Sequence, residues 1–391
     1  MYKKIKLLFV AEEMATNGAM MSMLALLKAL PSDRYDISLF FFKHNDMVTQ
    51  IPKHVKVLQE LYPYVVHRMC LKEGILFCLK KFRLDLLVYR GMLSIQRLFH
   101  LNYRLWSFLP TINGEYDVAC CYTDGFVAPM IQHKVNAKKR VAWIHFLYSN
   151  WAQENFVYDA LKNMDMCVPV SLEAGKDLEK ILRVEVKWHL VHNITDAQRC
   201  LERADEVFEI PRKNGIWRIV SVGRVTPQKN FDIIPKVAQY LIEKGLKFEW
   251  LIIGDGEEKE SIEKDIESKG LSTIIHLIGN RSNPMPLVKS ADVVFIPSRN
   301  ESWGMVVSEA LCLGKAIVTS DIPVFKEQVI EGYNGLMRPA VPNIMAEAIS
   351  MLLTDGSLRY RFEKNAANYP FTKETIVTEF NTMINDLLDI N

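Results

Sequence analysis

The sequence predicts an α/β protein built of two doubly wound domains in series, and three observations carry that prediction. Short continuous apolar runs alternate with helix-period segments, as expected of parallel strands covered on both faces. The alternation occurs twice along the chain, once in each half. Between the halves lies a charged, strand-poor stretch, AQRCLERADEVFEIPRKN, at 197–214.

In the first half the strand-like runs are 4–11, 35–42, 55–58, 116–122, 140–145, 166–171 and 187–193. Helical windows such as MMSMLALLKAL (20–30) and SLEAGKDLEKIL (171–182) lie between them. The second half repeats the pattern with strands at 216–223, 248–254, 274–279, 292–297, 315–320 and 335–339, and with the window FDIIPKVAQYLIEKG (231–245). These periods place a first domain at 1–200, a second at 201–372 and a closing helix at 373–391, which is expected to return to the first. A helical insert occupies about 61–110. No repeat of 20–50 residues is present, which argues against a solenoid.

The 391 residues are 49% hydrophobic and 24% charged, an ordinary globular composition. A net charge of only +2 argues against a dedicated nucleic-acid binder. The balance is uneven, however. Residues 1–200 hold 26 Lys+Arg against 19 Asp+Glu, a net +7, and the remainder holds 22 against 27, a net −5. One half therefore suits an anionic partner. Seven cysteines without a C-x-x-C pair fit free thiols in a reducing compartment. The opening MYKKIKLLFVAEE starts basic like a signal peptide, but its short apolar run ends in two acids and reads as a first strand. No apolar run is long enough to span a bilayer. Together these features predict a cytoplasmic protein.

Ligands of open parallel sheets gather beyond the carboxyl ends of the strands. Three loops of the second half fit that rule. GRVTPQKNFD (223–232) places Arg224 and Lys229 before a helix, where free amides and the helix dipole suit a phosphate. WLIIGDGEE (250–258) offers a G-x-G, for which a tight turn is explanation enough, since the third glycine of a dinucleotide fingerprint is missing. SRNESWGMVVSEA (298–310) carries Glu301 on a loop and Glu309 in the second turn of a helix starting near Gly304, with Met305, Val306, Val307 and Ala310 facing the sheet. Carboxylates so placed can accept hydrogen bonds from vicinal hydroxyls of a sugar and a ribose. Taken alone, the two acids are better explained by a solvated Glu301 and a lysine-paired Glu309, with the ligand-binding reading left open beside it.

In order, GRVTPQKN, IIGDGEE, HLIGNRSNP, ADVVFIPSRNESWGMVVSEALCLGKAIVTSD and VIEGYNGLM resemble the nucleotide-sugar half of retaining glycosyltransferases, specifically glycosyltransferase family 4 with the GT-B fold. That family's two glutamates separated by seven residues are met by Glu301 and Glu309. The resemblance is strong over 216–339 and looser over 1–195. There TNGAMMSMLALLKAL resembles the family's first glycine-containing loop, with Asn17-Gly18-Ala19 where Gly-Gly is usual, and VAWIH resembles the strand ending in an active-site histidine, here His145. The resemblance implies that Glu301 contacts the transferred sugar and Glu309 the nucleotide ribose. It further implies that Arg224, Lys229 and the amides around Trp303, Gly304, Met305 and Val306 take the diphosphate. Gly279, Asn280 and Arg281 would lie near the base, and Gly18, Gly223, Gly254 and Ser302 would also line the donor. For His145 it implies a place near the reacting sugar, as a donor contact rather than a general base. The base is left open between uridine and guanosine, with uridine favoured.

No D-x-D occurs and no His or Cys cluster has ligand spacing, so no metal and no cofactor beyond the nucleotide-sugar co-substrate are expected. The acceptor side is read from the insert. Residues 67–104 hold eight Lys+Arg and two Asp+Glu among Leu, Phe, Tyr and Trp. A basic amphipathic helix suits the anionic inner face of a membrane, while a helical insert packed on its own domain explains the composition as well. Family members often use lipid-linked saccharides, which implies work in capsule, O-antigen or exopolysaccharide assembly. Three other classes stay in view: an NAD-dependent oxidoreductase, which lacks its fingerprint here; a nucleotide-sugar epimerase, which would turn over donor alone; and a non-catalytic nucleotide-sugar-binding protein.

Overall fold

Runs with no polar face become central strands, because each is covered on both sides by helices. The computed structural model describes residues 3–15, 17–98, 108–150, 155–207, 210–368 and 371–390. Two units emerge, Met1–Val191 with Val377–Asn391, and His192–Ile376. The division stands at 191/192 rather than at residue 200, and at 376/377 rather than at 372. Thr195 Oγ1 donates to Ser308 Oγ at 2.8 Å, which ties the stretch after Val191 to the second unit.

The first unit holds β1 (Ile5–Ala11), β2 (Tyr35–Phe41), β3 (Lys56–Val57), β4 (Ile112–Cys121), β5 (Val135–Ile144) and β6 (Met166–Pro169). They form one parallel sheet in the order β3-β2-β1-β4-β5-β6. Its helices are α1 (Gly18–Ala29), α2 (Tyr62–Arg68), α3 (Leu71–Lys80), α4 (Leu84–Leu98), α5 (Val127–Lys134), α6 (Asn155–Lys162) and α7 (Leu172–Leu182). Helix α1 starts where Asn17 Oδ1 accepts from the Met20 amide at 2.9 Å, and α7 where Ser171 Oγ accepts from Ala174. Each cap satisfies an amide that has no partner within its helix. Of the insert expected at 61–110, residues 99–107 lie outside the described residues, as does Thr16 of the first loop.

The expected strand at 187–193 does not form. That segment makes a single bridge, Trp188 to Cys167, and runs beside β6 with Val191 N donating to Pro169 O at 3.2 Å. It follows the sheet edge as far as Val191, where the first unit ends.

The second unit holds β7 (Trp217–Val222), β8 (Phe248–Ile253), β9 (Ile275–Leu277), β10 (Val293–Ile296), β11 (Ile317–Ser320) and β12 (Gly335–Arg338). Their order is β12-β11-β10-β7-β8-β9, again parallel. Around them pack α8 (Ala197–Ala204), α9 (Ile234–Glu243), α10 (Lys259–Ser268), α11 (Met285–Ser290), α12 (Met305–Cys312), α13 (Phe325–Gln328), α14 (Pro342–Thr354) and α15 (Gly356–Ala366). The final helix α16 (Lys373–Leu388) supplies Phe380 to the first unit, stacked 6.1 Å from Trp143 and edge-on to Tyr35 at 5.7 Å.

At the amino ends of β7 and β8, Arg218 and Glu249 are direct cross-strand partners and both are buried. Arg218 Nε donates to Glu249 Oε1 at 2.8 Å, and the other guanidinium nitrogens reach Ser290 Oγ and Pro211 O, each at 2.9 Å. This network closes the end of the sheet opposite the site described next. In each sheet the strand order reverses beside the first strand of the unit, between β1 and β4 and between β7 and β10. Such a reversal leaves a crevice at the carboxyl ends.

Candidate functional site

The loops leaving β7 and β10 meet at the second unit's reversal point and are stitched together by their own polar groups. The Arg299 amide donates to Gln228 O at 2.8 Å, and Gln228 Nε2 donates to Asn300 O at 3.1 Å. Asn230 sits in the left-handed region (φ 58°), from which Nδ2 donates to Pro297 O at 3.0 Å and Oδ1 accepts from Arg299 Nε at 2.8 Å. Asparagine tolerates that conformation better than most residues. The two loops therefore act as one rigid piece.

Glu301 is the centre of this piece. Its Oε1 accepts from Lys229 Nζ at 2.5 Å and from Ser298 Oγ at 2.8 Å, and Oε2 faces Gln228 Nε2 at 3.5 Å. The carboxylate is buried and the lysine largely so. Ser298 is itself fully buried, held through its carbonyl by the Ser320 hydroxyl of β11. Lys229 and Glu301, expected from sequence on two loops, are thus a direct ion pair. Arg224, the other expected cation, is exposed.

Beyond Glu301 the chain passes through Trp303 and Gly304 into α12. Gly304 has φ 83°, and a Cβ there would lie 2.7 Å from Cε1 of Phe325, so glycine is required twice over. Trp303 is buried, its indole 4.9 Å from the His192 ring and 5.0 Å from Phe371. Its carbonyl accepts from the Gln328 side chain. Trp303 anchors the loop with its side chain; only its backbone belongs to the site. The expected inward face of α12 needs correction: Val307, Ser308, Ala310 and Leu311 are buried, whereas Met305 and Val306 are only partly so. With the helix starting at Met305, the 3.6-residue period turns positions 307, 310 and 311 inward together.

Glu309 is partly buried in the second turn of α12. Burial pushes its carboxyl up to about 7, with Arg203 and Lys229 pulling it back in part. Arg203 lies in the last turn of α8 and is fixed by Asn283 Nδ2 donating to its carbonyl at 2.8 Å, while its guanidinium donates to Ser282 O at 2.5 Å. Arg203, Gln228 and Ser298 escaped sequence reading. Ser298 stood inside the SRNESWG stretch; Arg203 lay in the stretch read as a linker.

The G-x-G has a different cause from the expected tight turn. A Cβ on Gly254 would lie 1.8 Å from Gly223 O, and one on Gly256 2.3 Å from Val225 O. The loops after β7 and β8 cross backbone to backbone there, bonded by Val225 N to Asp255 O at 3.0 Å. Gly254 N in turn donates to Gly279 O at 3.0 Å, which brings in the loop after β9. Asn280 and Arg281 are exposed on that loop, and Ser302 is partly buried beside Glu301.

The first unit carries His145 and Gly18, the latter as the first residue of α1. His145 follows β5 and is buried, its ring 4.8 Å from Tyr122. Among the described residues, neither ring nitrogen has a partner at hydrogen-bond geometry. Burial lowers its pKa to about 3, the Tyr122 backbone nearby offsetting this only in part, so the ring is neutral. Asp124, three residues past β4 and unread in the sequence, accepts from the His145 amide at 3.2 Å and from Tyr148 OH at 2.9 Å. Burial pushes its carboxyl up to about 7. Its place after a strand beside the reversal point was the signal that could have found it.

Among the described residues, no three His, Cys, Asp or Glu side chains are grouped to hold a metal ion. No helix of the described residues is long and apolar enough to cross a membrane.

Residues 202–369 match the family model described as Glycosyl transferases group 1. The chain is 28% identical over 162 residues to an alpha-D-kanosaminyltransferase of Streptomyces kanamyceticus, covering 40% of this chain and 42% of that protein. It is 25% identical over 260 residues to an N,N'-diacetylbacillosaminyl-diphospho-undecaprenol alpha-1,3-N-acetylgalactosaminyltransferase of Campylobacter jejuni, covering 62% and 61% respectively. The matches thus span less than two thirds of these relatives. A crystal structure of Anabaena HepE in complex with UDP and glucose superposes with a TM-score of 0.67 at 15% identity, over 98% of this chain and 100% of that one. The chain therefore has the GT-B fold of two Rossmann-like domains, and the group 1 glycosyltransferase model falls on the unit that holds Lys229, Glu301 and Glu309.

Proposed function

We propose that the protein is a retaining, metal-independent glycosyltransferase. It moves a hexose or N-acetylhexosamine from a nucleotide-diphosphate sugar, with uridine favoured as the base, to a lipid-linked saccharide at the cytoplasmic face of a membrane. The product enters capsule, O-antigen or exopolysaccharide assembly. The observation that carries this reading is the Lys229–Glu301 pair, fixed by Ser298 and Gln228 at the strand-order reversal, with Glu309 one helix turn and a loop away.

In the reaction the bond between the sugar's anomeric carbon and the diphosphate breaks, and its electron pair leaves with the phosphate. An acceptor hydroxyl attacks the same face, and its proton passes to the departing phosphate oxygen. Negative charge grows on the diphosphate as the bond breaks, so a preset lysine and the amides at the start of α12 favour the transition state. Glu301 accepts from sugar hydroxyls and Glu309 from the ribose. His145 contacts the donor sugar as a neutral group. The Campylobacter relative, whose name includes a diphospho-undecaprenol saccharide, supports a lipid-linked acceptor.

The test is product formation from UDP- and GDP-sugars with lipid-linked acceptors, compared between wild type and Glu301→Ala. Losing hydrogen bonds to a charged group should slow turnover about 10- to 100-fold. Binding of UDP, measured by calorimetry, should not weaken. Conversion of donor to an isomer without acceptor would replace this reading with an epimerase.

A further inference from the structure

Helix α4 is apolar on two opposite faces. Its inner face, Leu86, Tyr89 and Leu93, joins the first unit's core with Cys78 of α3. Its outer face carries Leu84, Val88, Met92, Ile95 and Leu98, spaced as a second continuous stripe and all exposed, Leu84 by 71% and Leu98 by 73%. A surface helix of a soluble domain ordinarily has one such stripe. Helix α3 packs against α4 so closely that a Cβ on Gly74 would lie 2.9 Å from the Arg90 side chain. It adds Leu71, Ile75, Leu76 and Leu79 to the exposed surface, and Phe82, 92% exposed, stands at the turn between the helices. Scattered exposed leucines are common, but two adjoining stripes on packed helices mark a binding surface.

The charges around this surface identify the occupant. Lys72, Lys80 and Lys81 are exposed along α3 and its end. The two acids are engaged internally: Asp85 pairs with Arg83 at 2.5 Å, and Glu73 closes the amino-terminal cap of α3 with Cys70. Apolar side chains flanked by lysines match a bilayer with acidic headgroups, where such helices lie in the interface plane with their apolar face sunk about 5–10 Å. Neither helix is long enough to span it.

We propose that the outward faces of α3 and α4 seat the first unit on an anionic lipid bilayer by insertion of their leucine, isoleucine and valine side chains, with the flanking lysines drawing it there. This deepens the lipid-linked acceptor of the proposed function, yet it is read by vesicle binding and not by turnover, so the two can fail separately.

The experiment is cosedimentation of the full-length protein with vesicles of phosphatidylcholine, with and without phosphatidylglycerol, at roughly 0.15 M and 1 M salt. Wild type should bind the anionic vesicles and keep part of that binding at high salt, because insertion of apolar surface is not screened. Val88→Asp with Ile95→Asp should weaken binding at least tenfold at both salts, since each side chain forgoes its burial. Lys80→Glu with Lys81→Glu should weaken it only at low salt. Val88→Ser with Ile95→Ser provides the milder pair if the aspartates unfold the unit. UDP binding should be unchanged in every variant. Failure of wild type to bind anionic vesicles would overturn the proposal, as would wild-type binding by both stripe variants. A concentration-dependent dimer that the stripe variants dissolve would assign the surface to a second copy instead.

Discussion

Glu309 offers a test in which affinity and stability should move in opposite directions. Burial raises its carboxyl from an ordinary 4.5 to about 7. If the ribose hydroxyls bind the carboxylate, affinity follows the ionised fraction. That fraction rises from roughly one tenth at pH 6 to roughly nine tenths at pH 8, so UDP binding should strengthen about tenfold, or ~1.4 kcal/mol. Glu309→Gln holds the position neutral and should lose this rise. The β-phosphate of UDP titrates in the same region, but it does so equally for both proteins, so the difference between the two profiles isolates the glutamate. Stability runs the other way. A folded-state pKa above the unfolded value means that the folded chain binds the proton more tightly. The associated stability is complete below about 4.5 and is lost as pH rises through about 7. At pH 8 the buried charge costs at most ~3 kcal/mol, and Glu309→Gln should recover part of it. Calorimetry with UDP at pH 6, 7 and 8, beside thermal unfolding at the same pH values, supplies both readouts. Parallel binding profiles for the two proteins would refute the contact with Glu309, and a variant less stable than wild type at pH 8 would refute the burial argument.

Four further outcomes are expected. Lys229→Ala should depress turnover by roughly 100-fold, since removing one group preset for developing charge has about that effect, and EDTA should leave wild-type turnover intact; its loss, with recovery on adding magnesium or manganese, would overturn the metal-free reaction. At the far end of the same sheet, Glu249→Ala should cost about 3–5 kcal/mol by leaving the fully buried Arg218 without its counter-charge. Arg218→Met with Glu249→Leu should cost less in denaturant unfolding, and a double variant as unstable as the single one would contradict that account.

The alternation of apolar and helix-period segments made the fold class legible, because strands buried on both faces have no polar positions to blur the signal. Val294, Phe295 and Ile296 of β10 are of this kind. What failed were features set by three-dimensional neighbours. The apolar segment 187–193 looked like a strand, yet whether it pairs depends on where the chain leaves the sheet. Gly254 reads as a turn glycine in one dimension, whereas its reason is the Gly223 carbonyl 31 positions earlier in sequence. Asp124 and Arg203 carry no local pattern. Within the first unit only the fold brings the end of β4 beside His145, and within the second only the fold brings the end of α8 beside Glu309.

The direct contact between Lys229 and Glu301 changes what each residue's removal should do. A lysine free in solution must be desolvated and oriented whenever a diphosphate arrives. Here Glu301, itself fixed by Ser298 and Gln228, already holds it in a largely buried position, so that ordering is complete before any ligand binds. In the proposed reaction the same carboxylate would compete with the diphosphate for the ammonium group, because one Nζ cannot give its best hydrogen bond to both. On that proposal Glu301→Ala would free Lys229 for the nucleotide while removing the acceptor for sugar hydroxyls. Binding of UDP should hold or tighten even as turnover falls. Lys229→Ala leaves Glu301 buried without its cation, near a site meant for anions, and should weaken UDP and slow turnover together. Opposite effects on UDP from removing two partners of one ion pair would not follow if the pair merely braced the loops, since either loss would then loosen the same structure and weaken binding alike.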